Sequence, residues 1–288
     1  MSQFKDRFNS YTPFMQVIVL LLVGGVSFFV ISSLATLIVQ AFNDHIPIDN
    51  MQLMATTYPV SFMLIFFMPF QLGFLLVPGL IYFYVLNPSP VRTILFKFSN
   101  YFWAIAVFVA VFFLLPFFST INDFITQSFG VYDVLMEQKT QSDQQLIQLF
   151  GSESSSTAFL VGLLLVGLLT GIAEEYFFRG FLFKHMLKFT QKKWLSIVVS
   201  GLVFALLHFN YVQFIPLLIF GIILTIMYYV SGSLLPGIIA HVANNALNVF
   251  WLHTDNFPAW METMWVEITI PSTILLMGLI YYKKSVLS

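Results

Sequence analysis

The chain has 288 residues, 59% hydrophobic and only 9% charged, with a mean hydropathy of +0.88. Soluble domains carry about 25% charged residues, so this composition excludes a soluble globular protein and marks an integral membrane one. A net charge of −1 offers no basic face for nucleic acid, and the absence of cysteine excludes disulfides, thiolate catalysis and cysteine-ligated zinc. Lys5 and Arg7 precede an apolar run over 14–42. A signal-peptide core has about 7–15 residues, so this run reads as a first membrane helix. Further stretches near the about 20 residues that cross a bilayer fall at 60–86, 101–120, 157–183, 194–210, 212–230, 236–254 and 263–282. The prediction is an all-α, polytopic membrane fold of eight transmembrane helices. Pro69, Pro78 and Pro116 are expected to kink their helices. Pro236 suits the first turn of the seventh, where its missing N–H costs nothing.

Charge supports that count. With eight spans, one side holds Lys5, Arg7, Arg92, Lys97, Lys184, Lys188, Lys192, Lys193, Lys283 and Lys284, while the other holds only Lys139. Arg179 falls inside a span. The positive-inside rule then puts both termini in the cytoplasm. The opposite side collects acids such as Asp44, Asp133, Glu137, Glu153 and Glu262. The insert 121–156 reads as an outer connector with some helix. The chain divides into a front half, 1–156, a core, 157–254, and a last helix with its tail, 255–288. Trp260 and Trp265 look like interface anchors, and His45, His185 and His253 like surface or interfacial residues. Gly167 and Gly171, and Ser196 and Ser200, have the four-residue spacing that lets helices approach closely.

Three polar clusters interrupt the core: Glu174 to Arg179, Phe204 to His208, and His241 to Asn245. An ionisable residue at the centre of a membrane helix costs about 2.5–3.5 kcal/mol, so each needs a partner or a wet cavity. Glu174 and Glu175 are about 100° apart on a helix. Glu175 and Arg179 are four apart and can pair, as a purely stabilising ion pair would. Glu174 is left on another azimuth, free for other work. His208 follows Phe204 by one turn, as a hydrogen-bonded interfacial histidine would. His241 and Asn245 project together, near Asn244 and Asn248, and helix–helix hydrogen bonding alone would account for them. Together the three clusters supply hydrolytic parts. A carboxylate can deprotonate water, an imidazole can hold that water or protonate a leaving amine, and a second imidazole with an amide can stabilise an oxyanion. No His-Glu-x-x-His, Gly-x-Ser-x-Gly or Gly-x-Gly-Asp motif is present.

Glu-Glu-x-x-x-Arg, Phe-x-x-x-His and His-x-x-x-Asn, in this order on separate helices, resemble the CAAX protease and bacteriocin-processing (Abi) family of intramembrane endopeptidases, of the type II CAAX prenyl endopeptidase kind. Phe178-Arg179-Gly180 and Gly232-Ser233-Leu234-Leu235-Pro236 fit the same resemblance, which covers about a third of the chain, 157–254. It implies that Glu174 activates water together with His208, that His241 and Asn245 form the oxyanion site, and that Glu175 and Arg179 support them. It also implies a metal-independent protease without cofactor, set around a polar catalytic cavity. The partners would be the bilayer and a membrane-associated peptide or protein, lipidated or embedded. The expected location is a bacterial inner membrane. A zinc site of Glu174, His208 and His241 stays open chemically. A non-catalytic scaffold, chaperone or immunity protein would use the same cavity for binding, and a transporter would use its charges as a pathway. On straight, upright spans, His208 and His241 would differ in depth by roughly 15 Å at 1.5 Å per residue.

Overall fold

A computed structural model describes residues 2–86, 98–152, 154–255 and 265–287. Arg92, Lys97, Glu153, Trp260 and Glu262, used above in the charge partition and as an anchor, lie outside the described residues. All regular structure among the described residues is helical: α1 (Ser2–Ser10), α2 (Pro13–Phe42), α3 (Met51–Thr57), α4 (Pro59–Leu86), α5 (Phe98–Phe112), α6 (Leu115–Ser128), α7 (Tyr132–Phe150), α8 (Ser156–Thr190), α9 (Lys193–Leu207), α10 (Phe214–Ser231), α11 (Leu235–Thr254) and α12 (Trp265–Leu287).

Among the described residues, five stretches are long and apolar enough to cross a bilayer: Pro13–Phe42, Pro59–Leu86, Phe102–Ser128, Ser156–Thr190 and Tyr211–Ser231. The other three expected spans are helices too. Lys193–Leu206 and Glu267–Tyr281 are apolar but short, and α11 carries His241, Asn244, Asn245 and Asn248, which lower its hydropathy. The protein is therefore an α-helical integral membrane protein.

Element boundaries follow local chemistry. Thr12 caps α2 by accepting from the Met15 N–H at 3.3 Å, with Pro13 at the first position. Ser155 caps α8 through the Ala158 N–H at 3.1 Å. Gly232 closes α10 in the left-handed conformation, φ 68°, which glycine adopts without a β-carbon penalty. Pro116 does break its helix: α5 stops at Phe112, and α6 restarts at Leu115. The insert 121–156 is far more helical than the sequence indicated. α6 runs on to Ser128, with the Thr120, Thr126 and Ser128 hydroxyls satisfied by carbonyls one turn back, and α7 fills most of the remainder.

The chain forms two compact units. One comprises 1–90, 145–189 and 242–255; the other comprises 91–144, 190–241 and 256–288. In the first, α4 packs beside α2, and α8 runs alongside α4. Met63, Leu149, Phe150, Ala158 and Val249 make one of its buried clusters. In the second, α9 and α10 form a tight hairpin, α10 packs on α6, and α12 packs on α5. The Trp103 indole there donates to the Leu279 carbonyl at 2.8 Å.

Candidate active site

The glutamate cluster lies in the first unit, on α8. Its backbone is α-helical over Thr170–Glu175 and π-helical over Tyr176–Phe183. Glu175 and Arg179 are both fully buried, and Arg179 Nη1 donates to Glu175 Oε1 at 2.7 Å. The guanidinium also stands 5.8 Å from the Phe178 ring centroid. Glu174 is buried as well. Both adjacent glutamates are buried, and Glu175 makes the short contact to Arg179.

The end of α11 packs against this helix within the same unit. A β-carbon on Gly171 would lie 2.8 Å from Val242 Cγ2 and 3.0 Å from the Val242 backbone nitrogen, so only glycine permits this approach. Asn245 donates from Nδ2 to the Val166 carbonyl at 3.3 Å. Gly167 faces Ala246 one turn away. The small-residue spacing read from the sequence is therefore what seats the asparagine helix on the glutamate helix.

His208 and His241 belong to the second unit. α9 ends at Leu207, and His208 is its C-cap, with Nδ1 2.7 Å from the Phe204 carbonyl. The Phe204 ring lies 4.4 Å from the His208 ring and 5.6 Å from the buried His241 ring, centroid to centroid. Phe220 closes on His241 edge-on at 5.5 Å. Both imidazoles thus pack on one phenylalanine, which corrects the expected 15 Å mismatch in depth. The reason is local: the His208 side chain folds back over the preceding turn rather than continuing along the helix axis. Phe204, the first residue of the Phe-x-x-x-His motif, is the ring on which both imidazoles pack.

The turn after His208 is held from outside. Phe209 takes φ 51°, a left-handed conformation that costs a β-carbon-bearing residue roughly 1–2 kcal/mol. The buried Asn122 amide on α6 donates to the Tyr211 and Val212 carbonyls at 3.1 and 2.8 Å and accepts from the Ile215 N–H at 3.0 Å. Sequence reasoning missed Asn122, because it had placed that residue at the start of a loop. Asn122→Ala is expected to lower stability by about 1–3 kcal/mol, the cost of stranding buried backbone groups. It should also broaden the His208 signals in a nitrogen-15 spectrum.

Two other histidines depart from expectation. His185 is buried, with Nε2 3.0 Å from the Pro13 carbonyl and its ring among Tyr82, Phe181 and Phe189. It was assigned to a cytoplasmic loop, but α8 continues through Thr190 and carries it into an aromatic core. His253 is half-buried, stacks on Phe159 at 4.1 Å and lies 3.2 and 3.1 Å from the Phe150 and Gly151 carbonyls. His45 is exposed, as expected. Among the described residues no three His, Asp or Glu side chains gather into a set that could hold a metal ion.

Residues 156–247 match the family model for type II CAAX prenyl endopeptidase Rce1-like proteins. That segment is similar to the CAAX protease family. The match covers about a third of the chain and includes Glu174, Glu175, Arg179, His208, His241 and Asn245. No curated protein and no solved structure matched the chain. The matched segment begins at the N-terminus of α8 and ends within α11.

Proposed function

We propose that the chain is an intramembrane endopeptidase that hydrolyses a peptide bond in a membrane-embedded or membrane-associated protein, using water activated by Glu174. The observation that carries this is the Rce1-like match, within which all six polar motif residues fall. In this mechanism the Glu174 carboxylate takes a proton from water. His208 holds the water and passes a proton to the leaving amine. His241 and Asn245 donate to the tetrahedral oxyanion. The Glu175–Arg179 pair fixes the helix that presents Glu174. No metal or cofactor takes part, and the partners are the bilayer and the substrate chain. The lysine and arginine asymmetry supports cytoplasmic termini, and an inner bacterial membrane is the proposed location.

The test is cleavage of a peptide ending in a farnesylated Cys-a-a-X sequence by the purified protein in liposomes, followed by mass spectrometry. The expected result is one new peptide end, produced equally well in the presence of a chelator. No cleavage, or cleavage abolished by the chelator and restored by zinc, contradicts the mechanism. Full complementation of a deletion strain by a Glu174→Ala copy would instead favour a binding role.

A further inference from the structure

We infer that Gln71 is a substrate-positioning residue that binds the backbone of the peptide to be cleaved. The inference rests on the peptidase function proposed above and adds to it a residue outside the Rce1-like segment. Gln71 lies in the apolar span α4, within its π-helical stretch Phe70–Leu76. It is 7% exposed, and its Oε1 is buried without a hydrogen-bond partner among the described residues. A primary amide in a membrane interior ordinarily finds partners, since lipid offers none.

Its direction follows from its neighbours. Met63, Phe67, Gln71, Leu75 and Gly79 recur every four residues and form one stripe of α4. At one end of the stripe, Met63 belongs to the buried cluster with Ala158 of α8 and Val249 of α11, and Phe67 packs against that cluster. At the other end, a β-carbon on Gly79 would lie 2.8 Å from the Tyr176 backbone of α8. Between them, the stretch holding Gln71 packs against Thr170–Glu175. All of this lies within one compact unit. Gln71 therefore faces the helices that carry Glu174 and Asn245, Asn245 being one turn before Val249 on α11.

A peptide drawn into a membrane site brings N–H and C=O groups that have lost water. A glutamine amide carries an acceptor and a donor side by side and can satisfy one peptide unit of the substrate. Gln71 Oε1 would accept a substrate N–H, while Nε2 would donate to a substrate carbonyl. The oxyanion chemistry stays with the other residues.

The test compares wild-type and Gln71→Leu protein in liposomes with the farnesylated Cys-a-a-X peptide, together with thermal unfolding of both. The expected result is a KM at least tenfold higher, kcat within about threefold of wild type, and an unfolding temperature equal or higher. Gln71→Glu, which keeps the acceptor and loses the donor, should fall between. Wild-type KM in Gln71→Leu overturns the assignment while leaving the peptidase function standing, and so does a lowered unfolding temperature, which would make Gln71 structural. Absence of cleavage by wild-type protein overturns both, and is distinguished by that control.

Discussion

Glu174→Ala is expected to reduce cleavage by about 10²–10⁴-fold, the range for losing a positioned general base, while unfolding at the wild-type temperature. The two halves of that result have separate causes. Glu174 stands next to the buried ion pair but is not the carboxylate that Arg179 Nη1 grips at 2.7 Å; that is Glu175. Removing Glu174 leaves the 2.7 Å contact between Arg179 Nη1 and Glu175 Oε1 in place. Glu174→Gln is the sharper version, because it retains the side-chain shape and removes only the basic oxygen. Initial rates in liposomes and unfolding temperatures, measured on the same preparations, check both halves. A rate within tenfold of wild type contradicts the assignment of the base.

Arg179→Ala is expected to be the most destabilising of the site substitutions. It leaves a fully buried carboxylate without its guanidinium, and breaking a buried pair from one side costs about 3–5 kcal/mol. For a chain of this size, that corresponds to a fall of about 5–8 °C in unfolding temperature. Glu175→Leu combined with Arg179→Met removes both charges with similar volume, and much of the lost stability should return, because an apolar pair avoids the desolvation cost. Activity should not return with it if the pair orients Glu174. Thermal unfolding of the two single variants and the double variant, with cleavage measured beside each, separates stability from positioning. Equal activity in wild type and in the double variant would mean that the pair only stabilises.

Much of the fold was legible because membrane helices announce themselves by length and apolarity. Spacing also predicted the Glu175–Arg179 pair, since four residues bring two side chains onto one face regardless of context, and it singled out Gly167 and Gly171, whose role needs only the absence of a side chain. What stayed hidden depended on contacts distant in sequence. Asn122 lies 89 and more residues from the backbone groups it holds. The common packing of His208 and His241 on Phe204 required knowing that α9 ends at Leu207 and that the His208 side chain turns back. Straight helices of constant rise gave the wrong depth. His185 was misplaced because four lysines nearby, Lys184, Lys188, Lys192 and Lys193, suggested a cytoplasmic loop, whereas Lys184 Nζ lies 4.5 Å from the Phe83 ring centroid. Gln71 escaped notice because one glutamine barely lowers the hydropathy of a long span.

The central claim is that this membrane protein cuts other membrane-associated chains with Glu174. Its most direct test is a comparison of peptide ends in membranes from cells carrying the wild-type protein and from cells carrying Glu174→Ala at equal abundance. The expected result is at least one peptide end present with the wild type and absent with Glu174→Ala, accompanied by accumulation of the uncut chain. Identical sets of peptide ends in the two membranes would contradict it.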